Sequence, residues 1–196
     1  MNYLAHAYLS FNRPGILTGN MISDFVKGRK KFDYPEEIQQ GIALHRAIDH
    51  FTDTHVATKE AKDIFRPAYR LYSGAVVDVV YDHFLATDEN EFSEASLEIF
   101  TINTFNRLDQ YVNCFPEKFS MMYPYMKAQN WLFNYRHKAG IEKSLGGLVR
   151  RSKYLAESDT AFRLFIDHYD KLKALYGLFF PELRSMSLNF LAQLDN

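Results

Sequence analysis

His45 and Asp49 stand four residues apart, and Asp78 and Asp82 repeat the interval farther along the chain. On a helix such a pair stacks on one face, so both side chains can aim at one point. An imidazole and a carboxylate so placed can hold a divalent metal. The same spacing also fits a helix-surface His–Asp pair of small energetic value. The segment around the two aspartates is sharper. Val76, Val77, Val79, Val80, Tyr81 and Phe84 cover most of a helical wheel and leave Asp78 and Asp82 in a narrow stripe. A helix apolar nearly all round is a buried helix. Buried carboxylates are costly unless paired or bound to metal, although the stripe can equally face water.

Asp24 is a third candidate. It lies between apolar neighbours, just before Lys27-Gly28-Arg29-Lys30-Lys31. His6, within Leu4-Ala5-His6-Ala7, fits either a ligand or a satisfied core histidine. His83 directly follows Asp82 and can orient it or touch substrate. Imidazole and carboxylate donors without thiolate suit Mn²⁺, Mg²⁺, Fe²⁺ or Zn²⁺. Such a site acidifies bound water and polarises a phosphoryl oxygen. Arg46 and Arg70 lie near the two ligand segments, and arginine can grip a phosphate through two donors at once. No phosphate-cradling glycine loop or serine nucleophile elbow occurs, in the patterns G-x-x-x-x-G-K-[ST], G-x-G-x-x-G or G-x-S-x-G.

The elements that must position these groups read as helices. Phe162, Phe165, Ile166, Tyr169, Leu172 and Tyr176 step by three or four and predict one apolar helix face. Pro181 can open a last helix running to Leu194. Further helices are predicted near Gly15–Val26, Pro35–Asp53, Arg70–Ala86, Glu94–Tyr111 and Gly140–Tyr154. With 196 residues, no linker and no repeat, residues 1–196 read as a single compact all-α domain. Seventeen Phe and 13 Tyr predict an aromatic-rich core. The lone Cys114 excludes an intramolecular disulfide framework and a thiolate-built zinc site.

The net charge of −1 gives no general case for nucleic acid. No apolar run is long enough to span a membrane, and the first residues lack the basic start of a secretory signal, so a soluble cytoplasmic protein is expected. Charge is nonetheless uneven. Lys27, Arg29, Lys30 and Lys31 cluster early, and Arg136–Ala156 holds six bases against Glu142. Brought together in space, these segments would offer a patch to an acidic partner.

Several stretches, in order, resemble one family: Met1-Asn2-Tyr3-Leu4-Ala5-His6; Gly19-Asn20 through Asp24-Phe25-Val26-Lys27-Gly28; Gly41-Ile42-Ala43-Leu44-His45-Arg46-Ala47-Ile48-Asp49; Phe51-Thr52-Asp53-Thr54-His55; and Gly74–Val79 with Tyr81-Asp82-His83-Phe84-Leu85. Together they resemble the acyl carrier protein phosphodiesterases, distant relatives of the HD-type metal phosphohydrolases.

The resemblance implies an all-helical, HD-hydrolase-like fold and a divalent-metal site that favours Mn²⁺, with Mg²⁺ or Fe²⁺ as alternatives. It implies hydrolysis of the phosphodiester joining 4′-phosphopantetheine to a serine of holo-acyl carrier protein. By motif position the metal falls on His6, Asp24, His45, Asp49, Asp78 and Asp82. Asp24, Asp82 and His83 are the catalytic candidates, and Arg46 and Arg70 the phosphate-binding ones. Acyl carrier proteins are acidic, so Lys27, Arg29, Lys30 and Lys31 are candidates for docking one. An HD-like enzyme acting on a nucleotide or other small phosphodiester is the competing reading. A non-catalytic, metal-binding helical interaction protein is another.

Overall fold

The computed structural model describes residues 1–194. Every regular element among them is helical. In chain order they are α1 (Tyr3–Tyr8), α2 (Pro14–Ile22), α3 (Glu36–Thr54), α4 (Val56–Tyr69), α5 (Ser73–Thr87), α6 (Glu94–Leu108), α7 (Glu117–Ala128), α8 (Trp131–Asn134), α9 (Lys138–Arg151), α10 (Asp159–Asp167) and α11 (Tyr169–Leu194). Short 3₁₀ turns fill Ser23–Phe25, Gly28–Asp33, Arg70–Tyr72 and Asp109–Cys114.

The valine-rich segment forms α5, buried on nearly all sides as its composition demands. It packs against α4, α9, α1 and α11. Tyr81 on α5 stacks on Phe179 of α11 with ring centroids 5.1 Å apart, and aromatic pairs recur throughout the core.

The densest contact joins α2 and α3. Gly19 and Gly41 make it possible. A Cβ at Gly19 would run into the carbonyl of Ile38, and one at Gly41 into that of Ile16. With no side chain at either position the two backbones touch, and residues of α2 come within hydrogen-bond reach of α3.

Three expectations need correction. The apolar face from Phe162 to Tyr176 spans two helices, because α10 ends at Asp167 and α11 begins at Tyr169. The periodicity survives the break because Phe165 and Tyr169 close on His83 and Phe84 from either side of it. Pro181 lies inside α11 rather than at its start. It removes one backbone hydrogen bond, yet the buried Phe179, Phe180 and Leu183 hold the helix through it. Helices α1, α4, α7 and α8 are not predicted. Helices α4 and α7 each carry an internal proline, Pro67 and Pro124, that reads as punctuation. In α4 the buried Ala57, Ala61, Phe65 and Tyr69, spaced by four, outweigh it. The predicted starts and ends of the other helices shift by a few residues, so that Asp24 falls on a 3₁₀ turn beyond α2.

Candidate metal centre

Three elements bring the cluster together. Helix α1 supplies His6, α3 supplies His45 and Asp49, and the turn after α2 supplies Asp24. One ligand atom each from His6, His45 and Asp49 lies within 4.8 Å of the others. His45 Nε2 is 3.1 Å from Asp49 Oδ2 and 3.2 Å from Asp24 Oδ1. His6 Nε2 is 3.4 Å from Asp49 Oδ1. The imidazoles stack, with centroids 3.9 Å apart and planes 13° apart, so both Nε2 atoms face the same carboxylate.

Asn20 on α2 fixes which nitrogen each imidazole presents. His45 Nδ1 lies 2.7 Å from the Asn20 backbone oxygen, which can only accept, so Nδ1 carries the proton. His6 Nδ1 lies 2.7 Å from Asn20 Oδ1. The amide orientation follows from its other end, where Asn20 Nδ2 donates to the His6 carbonyl at 2.8 Å and to Ser10 Oγ at 3.1 Å. Both Nδ1 atoms are thus committed as donors, and both Nε2 lone pairs point at the cluster.

This arrangement fits a divalent cation. His6 Nε2 is buried and has no hydrogen-bond partner. It stands 3.4 Å from Asp49 Oδ1, and burial and the neighbouring His45 lower the His6 pKa. A cation between them would take both the imidazole nitrogen and the carboxylate oxygen as ligands. His45 without metal shows the same demand. Burial opposes its charge, but Asp24 and Asp49 overcome burial and raise its pKa to about 9. Burial alone would raise Asp49, yet His45, His6 and the Met1 ammonium hold it well below the usual carboxylate range. The hydrogen bond from His45 likewise lowers Asp24. His6, His45 and Asp49 therefore form a possible divalent-metal site with imidazole and carboxylate donors.

The α5 carboxylates do something else. Asp82 is fully buried and accepts the backbone N–H groups of Asn2, Leu4 and Ala5 at 3.1, 2.7 and 3.3 Å. Burial pushes its carboxyl up to about 7 against the pull of the Met1 ammonium and those N–H groups. Asp78 Oδ1 accepts from the Met1 ammonium at 2.9 Å, and that ammonium stands 3.9 Å from Asp49 Oδ1. The stripe thus clamps the start of α1, the helix that carries His6. The structure does not bring Asp82 to the metal cluster, because its oxygens are taken up by backbone amides. His83 is also outside it: Nδ1 bonds the Tyr135 carbonyl at 2.7 Å and Nε2 the Tyr169 hydroxyl at 2.9 Å.

Asp24, at the edge of the cluster, lines a groove of about 870 Å³ whose walls also include Asp78, Lys118, Tyr125, Arg150 and Arg151. The Asp24 side chain is 66% exposed there. Neither Arg46 nor Arg70 lines it. Arg46 Nη2 instead donates to the Val26 carbonyl at 3.1 Å, and Arg70 sits with φ 46° in the turn before α5. Lys27, Arg29 and Lys30 are exposed and Lys31 half-buried, on the stretch just after Asp24 but outside the groove wall. Asn20, Arg150 and Arg151 were missed as site residues. Asn20 carries the signal used for α5, a lone polar group among Ile16, Leu17, Met21 and Ile22. The arginines lie in the basic Arg136–Ala156 segment, but only the fold shows which of its members face the cluster.

An all-helical scaffold thus brings two buried histidines and a partly exposed aspartate together as a possible divalent-metal site, with Asp24 leading from it to the groove. The chain belongs to the acyl carrier protein phosphodiesterase family, whose profile matches residues 1–183. It is 31% identical over 190 residues to the acyl carrier protein phosphodiesterase of Photorhabdus laumondii, covering 96% of each chain. Identity to the protein of the same name from Klebsiella pneumoniae is 32% over 190 residues, 96% of this chain and 98% of that one. The Yersinia pestis protein of that name is 33% identical over 184 residues, 93% of this chain and 95% of the other. No solved structure matches.

Proposed function

We propose that the protein hydrolyses the phosphodiester joining 4′-phosphopantetheine to a serine of holo-acyl carrier protein, giving apo-carrier protein and free 4′-phosphopantetheine. One observation carries the reading: in a member of this family, the paired His6 and His45 Nε2 atoms converge on Asp49, and His45 also meets Asp24, which lines a groove walled by Arg150 and Arg151. His6, His45 and Asp49 would hold the cation, Mn²⁺ being favoured and Mg²⁺ or Fe²⁺ alternatives, with Asp24 beside them on the groove side. A cation there supplies Lewis acidity and lowers the pKa of a water molecule. Asp24 orients the attacking water, and Arg150 and Arg151 offset phosphoryl charge. Water oxygen bonds to phosphorus, and the serine oxygen leaves and takes up a proton. Asp78 and Asp82 hold α1, and so His6, in place. Kinship with HD-type phosphohydrolases belongs to the same reading and is supported by the donor chemistry on a helical scaffold.

The open, basic groove favours a protein-borne substrate over a small nucleotide, which a closed pocket would suit better. Acyl carrier protein would be the partner and the cytoplasm the setting; no helix of the described residues is long and apolar enough to cross a membrane. Incubation with holo-acyl carrier protein and Mn²⁺, followed by intact mass, tests the proposal. The expected result is loss of the phosphopantetheine mass, blocked by chelator. An unchanged carrier in the presence of bound metal would transfer the reading to a small phosphodiester. Failure to bind any divalent metal would remove the hydrolase reading.

A further inference from the structure

A second cavity, of about 430 Å³, lies between α1, α8 and α9. That is within the usual size range of small-ligand sites. It shares Asn2, Tyr3, Trp131, Arg150 and Arg151 with the groove above the metal cluster, so the two spaces are continuous. Their linings differ in chemistry. Asp24 and Asp78 face the groove, whereas no carboxylate lines the cavity among the described residues. Its walls include the rings of Tyr3, Trp131 and Tyr135, the amides of Gln129 and Asn134 and the hydroxyl of Ser144, with Lys143, Arg150 and Arg151 as its charged groups. Trp131 Nε1 donates to Gln129 Oε1 at 3.1 Å, which pins the indole as a wall. Asn134 Nδ2 donates to the Gln129 carbonyl at 2.6 Å.

We infer that this cavity is the subsite for the pantetheine arm, the uncharged chain of methylene and amide groups attached to the scissile phosphate. The inference rests on the reaction proposed above. A phosphate in the groove beside Arg150 and Arg151 leaves its arm next to the shared opening. Aromatic walls suit methylene and gem-dimethyl groups, and side-chain amides and a hydroxyl suit the amides of the arm. The absence of carboxylates separates this end from the cation-binding end. The cavity therefore selects what is attached to the phosphate, while the metal cluster acts on the bond.

Trp131 is the only tryptophan in the chain, so its fluorescence reports occupancy directly. Gly147 offers the variant. It lines both spaces, and a Cβ there meets nothing closer than Arg151 Nη1 at 3.6 Å. Gly147→Leu fills the opening while raising helix propensity. Gly146→Leu makes the same change at a position that lines neither space, and Ser144→Leu is a second occluding variant. Pantetheine, without phosphate, is titrated into the Mn²⁺-loaded protein. The expected result is a saturable fluorescence change, weakened by about tenfold or more in Gly147→Leu and Ser144→Leu and kept in Gly146→Leu. No saturable change, equal affinity in the occluded variants, or a response to inorganic phosphate but not to pantetheine would overturn the inference. Turnover of holo-carrier protein separates the two proposals. Pantetheine binding without turnover keeps the subsite and removes the reaction; turnover unaffected by Gly147→Leu keeps the reaction and removes the subsite.

Discussion

His45 with Asp49 on α3, and Asp78 with Asp82 on α5, are both i, i+4 pairs that could bear metal chemistry, and they end in different roles. On α3 both side chains keep an unfilled position: Nε2 of His45 and the Asp49 oxygens point into a space that also receives His6 and Asp24. On α5, Asp82 spends its oxygens on three backbone N–H groups. The spacing is equal. What differs is the neighbour: α3 faces side chains that converge on one point, and α5 faces the start of α1, whose first amides have no partner within their own helix. A carboxylate beside such amides becomes an anchor; one beside converging imidazole nitrogens is free to serve a cation.

Replacing Asp49 with Ala is the strongest way to break this comparison. Metal binding, read by calorimetry, should be lost. Turnover should fall by about 10²- to 10³-fold or more, the scale of losing a main electrostatic group, with the helical circular dichroism unchanged. Asp82→Ala should act on stability instead. It strands buried N–H donors at about 1–3 kcal/mol each, less what relaxation recovers. A loss of about 3 kcal/mol would lower Tm by about 6–12 °C in a chain this size. If Asp82→Ala abolished metal binding at a temperature where the protein stays folded, the division of labour argued here would be wrong.

Smaller effects sharpen the picture. Asn20→Ala removes the side-chain oxygen that orients His6 and leaves the backbone oxygen that orients His45, so Mn²⁺ affinity should drop by about 10–100-fold, as for other residues that orient metal ligands. Unchanged affinity would mean that stacking on His45 is enough to set the His6 orientation. Charge reversal distinguishes the two basic regions. Arg151→Glu, in the groove wall, should impair hydrolysis of holo-carrier protein and of bis(p-nitrophenyl) phosphate alike. Reversing Lys30 and Lys31 together should raise KM for the carrier protein a few-fold at low salt, spare the small diester, and lose its effect at high ionic strength. Equal loss on both substrates would count against docking by that segment.

Much of this was legible in the chain. The 3.6-residue periodicity showed an all-helical protein because burial of one face is a local pattern. The valine run showed a buried α5, and the absence of thiolates narrowed the donor set. The ordered motifs pointed to the family. The i, i+4 rule placed His45 with Asp49 because both lie on one rigid helix. It could not say that Asp82 turns to backbone amides, since those amides belong to residues 77–80 positions away in sequence. Nor could it find Arg150 and Arg151 for the groove, or exclude Arg46 and Arg70, because the facing of separate helices is set by long-range packing.

The chain by itself determined the all-helical class, the burial of α5 and the imidazole–carboxylate donor type of the cluster. Each of these follows from residue type and short-range spacing. Tertiary structure decided which donors converge, which ring nitrogens face inward and which carboxylates are spent on structure. The physical reason is that coordination and hydrogen bonding act over about 2–3 Å. Only the contact of α1, α2, α3 and α5 brings groups that are far apart in sequence within that distance.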